Sequence, residues 1–199
     1  MMTMLREKTP KRRPGRAILV KYSSYRKTLR EDFHNRCGYC GSFDKLYKRS
    51  FTLDHFIPQK PCNFTHNLAA NDYYNLVYSC AYCNGSKTNK WPTNDITSPN
   101  NGKVGFIDPV DPIYDTLFHR KSDGTLILSQ PKHLVSSYIY KELNLKNQIH
   151  SILWKLEKID KIITQLNKVT DTNLEKSIKQ QLLELKSEYY DLTQELFEQ

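Results

Sequence analysis

No run of about 18 apolar residues occurs anywhere in the 199-residue chain, so nothing in it reads as a membrane span. The first twenty residues have no apolar stretch followed by a small-residue cleavage site. A secretory leader is therefore not expected, and the cytoplasm is the expected compartment. No internal repeat and no low-complexity tract is present. Acidic residues are nearly missing from the start: residues 1–30 hold one, Glu7, against ten Lys or Arg.

That local scarcity matters more than the overall charge. The chain carries a formal net charge of +9, with a pI of about 9.2 and a mean hydropathy of -0.67. The first 30 residues account for all of the excess, and the remainder is neutral. Residues 1–22, with Pro10, Pro14 and Gly15 and no hydrophobic period, read as a basic arm. An arm carrying Arg12, Arg13 and Arg16 suits a polyanion such as DNA, because each neutralised phosphate releases counterions. A solvated tail has the same composition, and charge alone leaves both readings open.

A coarse pass divides the rest. Tyr25, Leu29 and Phe33 fall at helical spacing behind Ser24, a candidate N-cap. Residues 37–90 are short, loop-rich and dense in Cys, His, Asn and aromatics. Residues 91–112, with four prolines, read as a connector wrapped on the core, since Val104, Phe106 and Ile107 need burial. Leu117–Arg120 and Thr125–Leu128 flank the turn signal Asp123-Gly124, which predicts a small hairpin. One helix is expected over about 132–142. A longer one is expected from N-cap Asn144, with Leu145, Ile149, Ile152, Leu156, Ile159, Ile163 and Leu166 at alternating steps of four and three. Thr172 with Glu175 has the form of a capping box opening a last helix. The two long helices are expected to pair antiparallel and to dock one flank on the body or on a partner.

Five cysteines are present, and four form C-x-x-C pairs: Cys37 with Cys40, and Cys80 with Cys83. Two such pairs can bring four thiolates to one tetrahedral Zn²⁺. A disulfide reading needs an oxidising compartment, for which there is no signal. A closed four-thiolate site leaves no open coordination position, so such a zinc organises structure and does no chemistry. Cys62 is left over as an ordinary loop thiol.

Between and around the pairs lie Asp54-His55-Phe56-Ile57-Pro58, then Asn75-Leu76, then Cys80-Ala81-Tyr82-Cys83-Asn84-Gly85-Ser86-Lys87. In these elements and their order, residues 37–90 resemble the HNH endonucleases, the zinc-bearing branch of the ββα-metal nucleases. The resemblance implies an α+β fold: a nuclease core of two strands and a helix, with two zinc knuckles and a C-terminal helical hairpin appended. Together with the coarse pass above, this gives the division 1–22 arm, 23–95 nuclease core, 96–130 connector with hairpin, and 131–199 helical extension. His55 is implied as general base. Asp54, and Asn84 in place of the commoner histidine, are implied as ligands of a catalytic Mg²⁺ or Mn²⁺. Asn75 is implied to fix the loop that carries His55, and Lys87 to meet a phosphate. His55 fits its role on chemical grounds, since an imidazole accepts a proton near neutral pH without a large shift. His34, His66, His119, His133 and His150 belong to no such constellation. Most of Tyr39, Tyr73, Tyr74, Tyr78 and Tyr82 are expected in the core around the zinc, with one or two left for base stacking.

A second resemblance concerns residues 104–128. Gly105-Phe106-Ile107-Asp108-Pro109 with Asp123-Gly124 resembles the segment after the HNH core in antiphage nucleases of the Septu and retron-associated kinds. It implies an ATPase protein partner, with the C-terminal helices as the docking surface, and a homodimer is compatible with double-strand cutting. Two other readings stay open: a non-catalytic zinc-ribbon module that binds nucleic acid, and a coiled-coil interaction subunit.

Overall fold

The computed structural model describes residues 2–45, 50–168 and 175–197. The elements, in chain order, are β1 (Thr3–Met4), α1 (Arg26–Asp32), β2 (Phe51–His55), β3 (Leu76–Cys80), α2 (Ala81–Lys87), β4 (Phe118–Arg120), β5 (Leu126–Leu128), α3 (Leu134–Glu142), α4 (Ile149–Leu166) and α5 (Glu175–Phe197). The fold is α+β, as the sequence pattern led one to expect: a two-strand ribbon and helix carrying a four-cysteine cluster, with helices appended.

β2 and β3 pair antiparallel, with Phe51 opposite Cys80 and His55 opposite Leu76. Every residue of β3 is buried. It is covered by α1 on one side and followed directly by α2, which folds back on the ribbon. α1 buries Tyr25 and Leu29, and Phe33 beyond its end, at the expected helical spacing. Its start differs from expectation: a 3-10 turn, Tyr22–Tyr25, precedes it, and no side chain caps it. Ser24 therefore lies inside the turn.

The expected hairpin forms from β4 and β5, but it gains a third strand. β1 pairs with β4, Thr3 opposite Arg120, giving the order β1-β4-β5. The basic start of the chain is thus a strap bound across the body, and the reading of residues 1–22 as an arm is corrected. The reason is that its arginines find internal acceptors. Arg6 is buried and donates to the carbonyls of Gly38 (2.7 Å) and Pro109 (2.5 Å) beside Asp115 (2.6 Å). Arg12 forks onto Asp108 (2.7 and 3.2 Å) and bonds the Leu76 carbonyl (2.9 Å). Arg13 pairs with Glu31 (2.6 Å) and with Asp32.

α3 begins at His133, whose Nδ1 accepts from the Ser136 amide (3.1 Å); this histidine is a helix cap. Asn144 is not the N-cap of the long helix. It sits at φ 49 in the turn before it, Leu145 belongs to the main core, and α4 starts at Ile149 with Asn147 bonding the Ile149 amide (2.9 Å). Leu145 needs burial against the nuclease body, and this ends the seam one step early. The Thr172 capping box lies outside the described residues. α4 and α5 run antiparallel: Ile149, Ile152, Leu153 and Leu156 meet Tyr189 and Leu192, and Gln148 bonds Glu195.

α4 also docks on the body. Arg36, next to the first knuckle, forks onto Glu157 at 2.6 and 2.9 Å, and Lys161 adds a second cation at 2.9 Å. Burial pushes the Glu157 carboxyl up, but bonds and charge from Arg36 and Lys161 outweigh it and hold it below the ordinary glutamate range. A depressed folded-state value gives stability that is complete above the ordinary glutamate range and is lost as pH falls through the folded value. Glu157→Ala is therefore expected to cost on the order of 2 kcal/mol at neutral pH, allowing for partial exposure of the pair. The gap from the parent should narrow in acid, as urea unfolding at about pH 7 and about pH 4 would measure.

Candidate active site and metal centre

The four cysteines of the two C-x-x-C pairs are buried, and their sulfurs lie within 4.8 Å of one another. The first pair sits in a turn held by Gly41 N–H on the Cys37 carbonyl (2.9 Å) and Cys37 N–H on the Ser42 carbonyl (2.9 Å). Gly41 has φ +71, and a Cβ there would meet the Leu5 carbonyl oxygen at 2.7 Å, so only glycine suits the position. The second pair spans the junction of β3 and α2, where Cys80 Sγ caps the helix by accepting from the Cys83 amide (3.5 Å).

A tetrahedron with Zn–S bonds of about 2.3 Å has edges of about 3.8 Å, and Cys40 Sγ lies 3.8 Å from Cys80 Sγ. All five cysteines are free thiols. Burial pushes the Cys40 thiol up, but bonds from the other three sulfurs outweigh this and hold it below the ordinary value. Bonding within the cluster raises Cys80, and burial above all raises Cys83. Without a metal Cys80 and Cys83 hold their protons more tightly than a free thiol, whereas a divalent ion favours the ionised form of all four sulfurs. The group thus fits a metal such as Zn²⁺. Cys62 lies apart, exposed, 3.8 Å from the Asn89 carbonyl.

The ribbon's two faces divide the neighbouring side chains. Thr52 and Asp54 alternate onto the face covered by α2, where Asn84 and Lys87, three apart, share a helical face. Asn84 Nδ2 donates to Thr52 Oγ1 (2.8 Å), which leaves its amide oxygen for another partner. Lys87 is 0% exposed; its Nζ lies 3.1 Å from Asp54 Oδ2 and 2.8 Å from the His55 carbonyl. Tyr39 donates its hydroxyl to the same Asp54 oxygen. Burial pushes the Asp54 carboxyl up and Lys87 down, each opposed by the other's charge.

His55 faces the other way, toward the strap. Its Nε2 lies 2.7 Å from the Ala70 carbonyl oxygen. An oxygen acceptor there requires the proton on Nε2 and leaves Nδ1 with the lone pair. The Gln59 amide reaches the same Nε2 at 3.1 Å, and its oxygen end is the one that suits a donating nitrogen. Tyr22 packs its edge against the imidazole, ring centroids 4.9 Å apart. Asn75 closes the turn after β2: its Oδ1 accepts from the Ile57 amide (2.8 Å) and its Nδ2 donates to the Ile57 carbonyl (2.9 Å).

Asp54, His55 and Asn84 all border one surface hollow of about 340 Å³, with Gln59, Lys60 and Asn89 on its rim. Asp54 is 5% exposed, so it offers only an edge there. A carboxylate has about four lone-pair sites. Tyr39 and Lys87 crowd Oδ2, whereas Oδ1 has only a 3.4 Å contact with Lys87. Oδ1 and the Asn84 oxygen are hard donors of the kind Mg²⁺ or Mn²⁺ takes.

The expectations for Lys87, Arg12 and Arg13 are corrected by these positions. Lys87 is sealed under the ribbon and bound to Asp54, so it cannot meet a phosphate; the rim cation is Lys60. Arg12 and Arg13 are committed to carboxylates, and of the three strap arginines named, Arg16 stays exposed, bonded to Thr28 Oγ1 (2.7 Å). His66, His34 and His119 bond the Pro58 carbonyl, the Thr9 carbonyl and Ser129, while His150 is buried in the first turn of α4. The Ala70 carbonyl, Tyr22, Gln59 and Lys60 were not singled out from sequence. None carries a spacing signal, since each reaches the site by chain reversal.

The buried ammonium on Asp54 makes a local prediction. Lys87→Met leaves a carboxylate uncompensated in the interior, and about 3 kcal/mol of stability is expected to go. Denaturant unfolding of the two proteins side by side measures it, and equal midpoints would show the pair to be inert.

A two-strand ribbon and helix gripping a four-thiol cluster, with a histidine at the strand end, are consistent with the zinc-bearing ββα-metal core. The model of the HNH endonuclease family matches residues 37–90. That stretch is similar to the HNH endonuclease domain, which supports nuclease activity in general. No curated protein matches the chain, and no solved structure does.

Proposed function

We propose that the chain is a divalent-metal-dependent endonuclease that hydrolyses DNA phosphodiester bonds, with His55 as general base. The observation that carries this reading is the imidazole fixed through Nε2 at the edge of the hollow that Asp54 and Asn84 also border. Donation to the Ala70 carbonyl selects the tautomer and raises the basicity of Nδ1, the nitrogen that would take a proton from water. Asn75, by gripping Ile57 on both sides, holds the turn that follows His55. Lys87 aligns Asp54 from behind, and Lys60 stands where a phosphate would enter. Asp54 and Asn84 would hold the Mg²⁺ or Mn²⁺ ion, which when bound stabilises charge developing on the phosphate and the leaving oxygen.

The test is nicking of supercoiled plasmid with Mg²⁺ or Mn²⁺ present and with EDTA. Metal-dependent nicking is expected. Salt-sensitive binding without cleavage under any metal would replace this reading with a non-catalytic zinc-ribbon module. The antiphage role and ATPase partner are supported by the resemblance of residues 104–128. Ile162, Leu183 and Tyr190 on α4 and α5 are exposed apolar side chains that such a partner could cover. Co-expression with an adjacent ATPase gene and recovery of one stoichiometric complex tests it; a chain that purifies alone argues against it. One core cuts one strand, so duplex breaks call for a homodimer or two events.

A further inference from the structure

The strap beside His55 has a property that its charge does not explain. Between Ile18 and Tyr22 three apolar side chains lie in solvent: Ile18 is 85% exposed, Val20 93% and Tyr22 40%. Leu19, between them, packs inward on the core. The segment is pinned in this register. The Tyr25 hydroxyl donates to the Ala17 carbonyl (2.9 Å) and accepts from the Leu19 amide (2.7 Å), and Asn71 Nδ2 donates to the Leu19 carbonyl (2.6 Å). These bonds fix the backbone at residues 17 and 19, between and beside the exposed Ile18 and Val20. Apolar groups fixed in water in a row mark a contact surface.

Its surroundings choose the partner. No acid occurs between Glu7 and Glu31. Arg16, Lys21 and Lys27 are exposed and have no ion pair among the described residues. A hollow of about 350 Å³, lined by Val20, Lys21, Tyr22, Ser23, Ala70 and Asn71, adjoins the ridge. Ala70 is the residue whose carbonyl holds His55, and Tyr22 touches the His55 ring. Tyr74, 52% exposed, lies three residues beyond Asn71.

We propose that the ridge Ile18–Val20–Tyr22 is the surface on which unstacked bases of a single nucleic-acid strand rest, with Arg16 and Lys21 on the flanking phosphates. Apolar and aromatic faces accept any base, and cations beside them track the backbone. The ridge deepens the nuclease reading, on which it rests. It directs a strand with frayed or unpaired bases to His55 and makes single-stranded or distorted nucleic acid the preferred substrate over relaxed duplex. A protein partner would need acids placed to match Arg16, Lys21 and Lys27, whereas a nucleic-acid strand carries a phosphate at every step.

The experiment uses the full chain with a fluorescent single-stranded oligonucleotide and its duplex, with no added Mg²⁺ or Mn²⁺ for binding and in Mn²⁺ for cleavage. The parent is expected to bind the single strand on the order of ten-fold tighter than the duplex. Ile18→Ser with Val20→Ser, both at exposed positions, is expected to weaken single-strand binding on the order of ten-fold. The salt dependence should stay unchanged, and the cleavage rate at saturating substrate should equal the parent's. Lys21→Gln is expected to lower the salt slope by about one. Unchanged binding by the double serine variant overturns the proposal while the nuclease reading stands. So does conversion of a dimer to a monomer with binding intact, which would make the ridge a subunit contact. A parent that cleaves no nucleic acid under any metal overturns the nuclease reading itself, and the binding arm without added Mg²⁺ or Mn²⁺ reads the ridge independently.

Discussion

His55→Ala is expected to lower metal-dependent strand cleavage by roughly 10²–10⁴-fold, the usual contribution of a positioned general base. The side chain is partly exposed at the strand end, and its ring contacts are to Tyr22, Gln59 and the Ala70 carbonyl. Its removal therefore leaves the buried ribbon intact, and the melting temperature should move little. Loss of rate with retained fold and retained DNA affinity is the expected pattern. Cleavage that survives the substitution would assign the reaction elsewhere. A base acting through Nδ1 also predicts that His55→Gln does not rescue, since an amide cannot take up the proton.

The second large effect concerns the thiol cluster. Metal analysis of the purified chain is expected to give about one zinc per molecule, held by Cys37, Cys40, Cys80 and Cys83. Structural zinc in small domains contributes on the order of 10 kcal/mol to folding. The cluster joins the turn before β2 to the β3–α2 junction, and Arg120 reaches the Cys40 carbonyl (2.5 Å) from the second sheet. Cys80→Ser or exhaustive chelation should therefore lower the melting temperature by at least about 10 °C, by the usual size scaling. It should also abolish cleavage without any change at His55. A Cys80→Ser protein that melts with the parent would mean that the cluster holds no metal.

The cysteine cluster and the ribbon and helix around it were the legible part of the sequence, and the reason is local. Ligand spacing of two in C-x-x-C is set by one turn of chain, and the turn and helix that present it form within a few residues. The ribbon and α2 follow from the same stretch. What lay beyond reading was partner choice over long separations. Lys87 has the composition of a surface lysine, and only the fold reveals Asp54 opposite it on the ribbon. Arg12 finds Asp108 nearly a hundred residues away, so a run of arginines that reads as an arm becomes a strap. Asn144 looked like a cap because helical spacing begins beside it, yet Leu145 is claimed by the main core. His133 looked idle because a capping imidazole has no spacing signature.

The pairing of Thr3 and Met4 with the far hairpin has a practical side. Leu5 is buried and its carbonyl lies against Gly41, so the opening residues act as a clasp shutting the first knuckle from behind. Shortening the chain by its first eight residues would unfasten that clasp, exposing Gly41 and freeing Asp115 from Arg6. A truncated protein should then surrender its metal to a chelator faster than the full chain does, and the release rate can be followed with a zinc-sensitive dye. Expression schemes that trim or replace this end to simplify purification would be cutting into the scaffold.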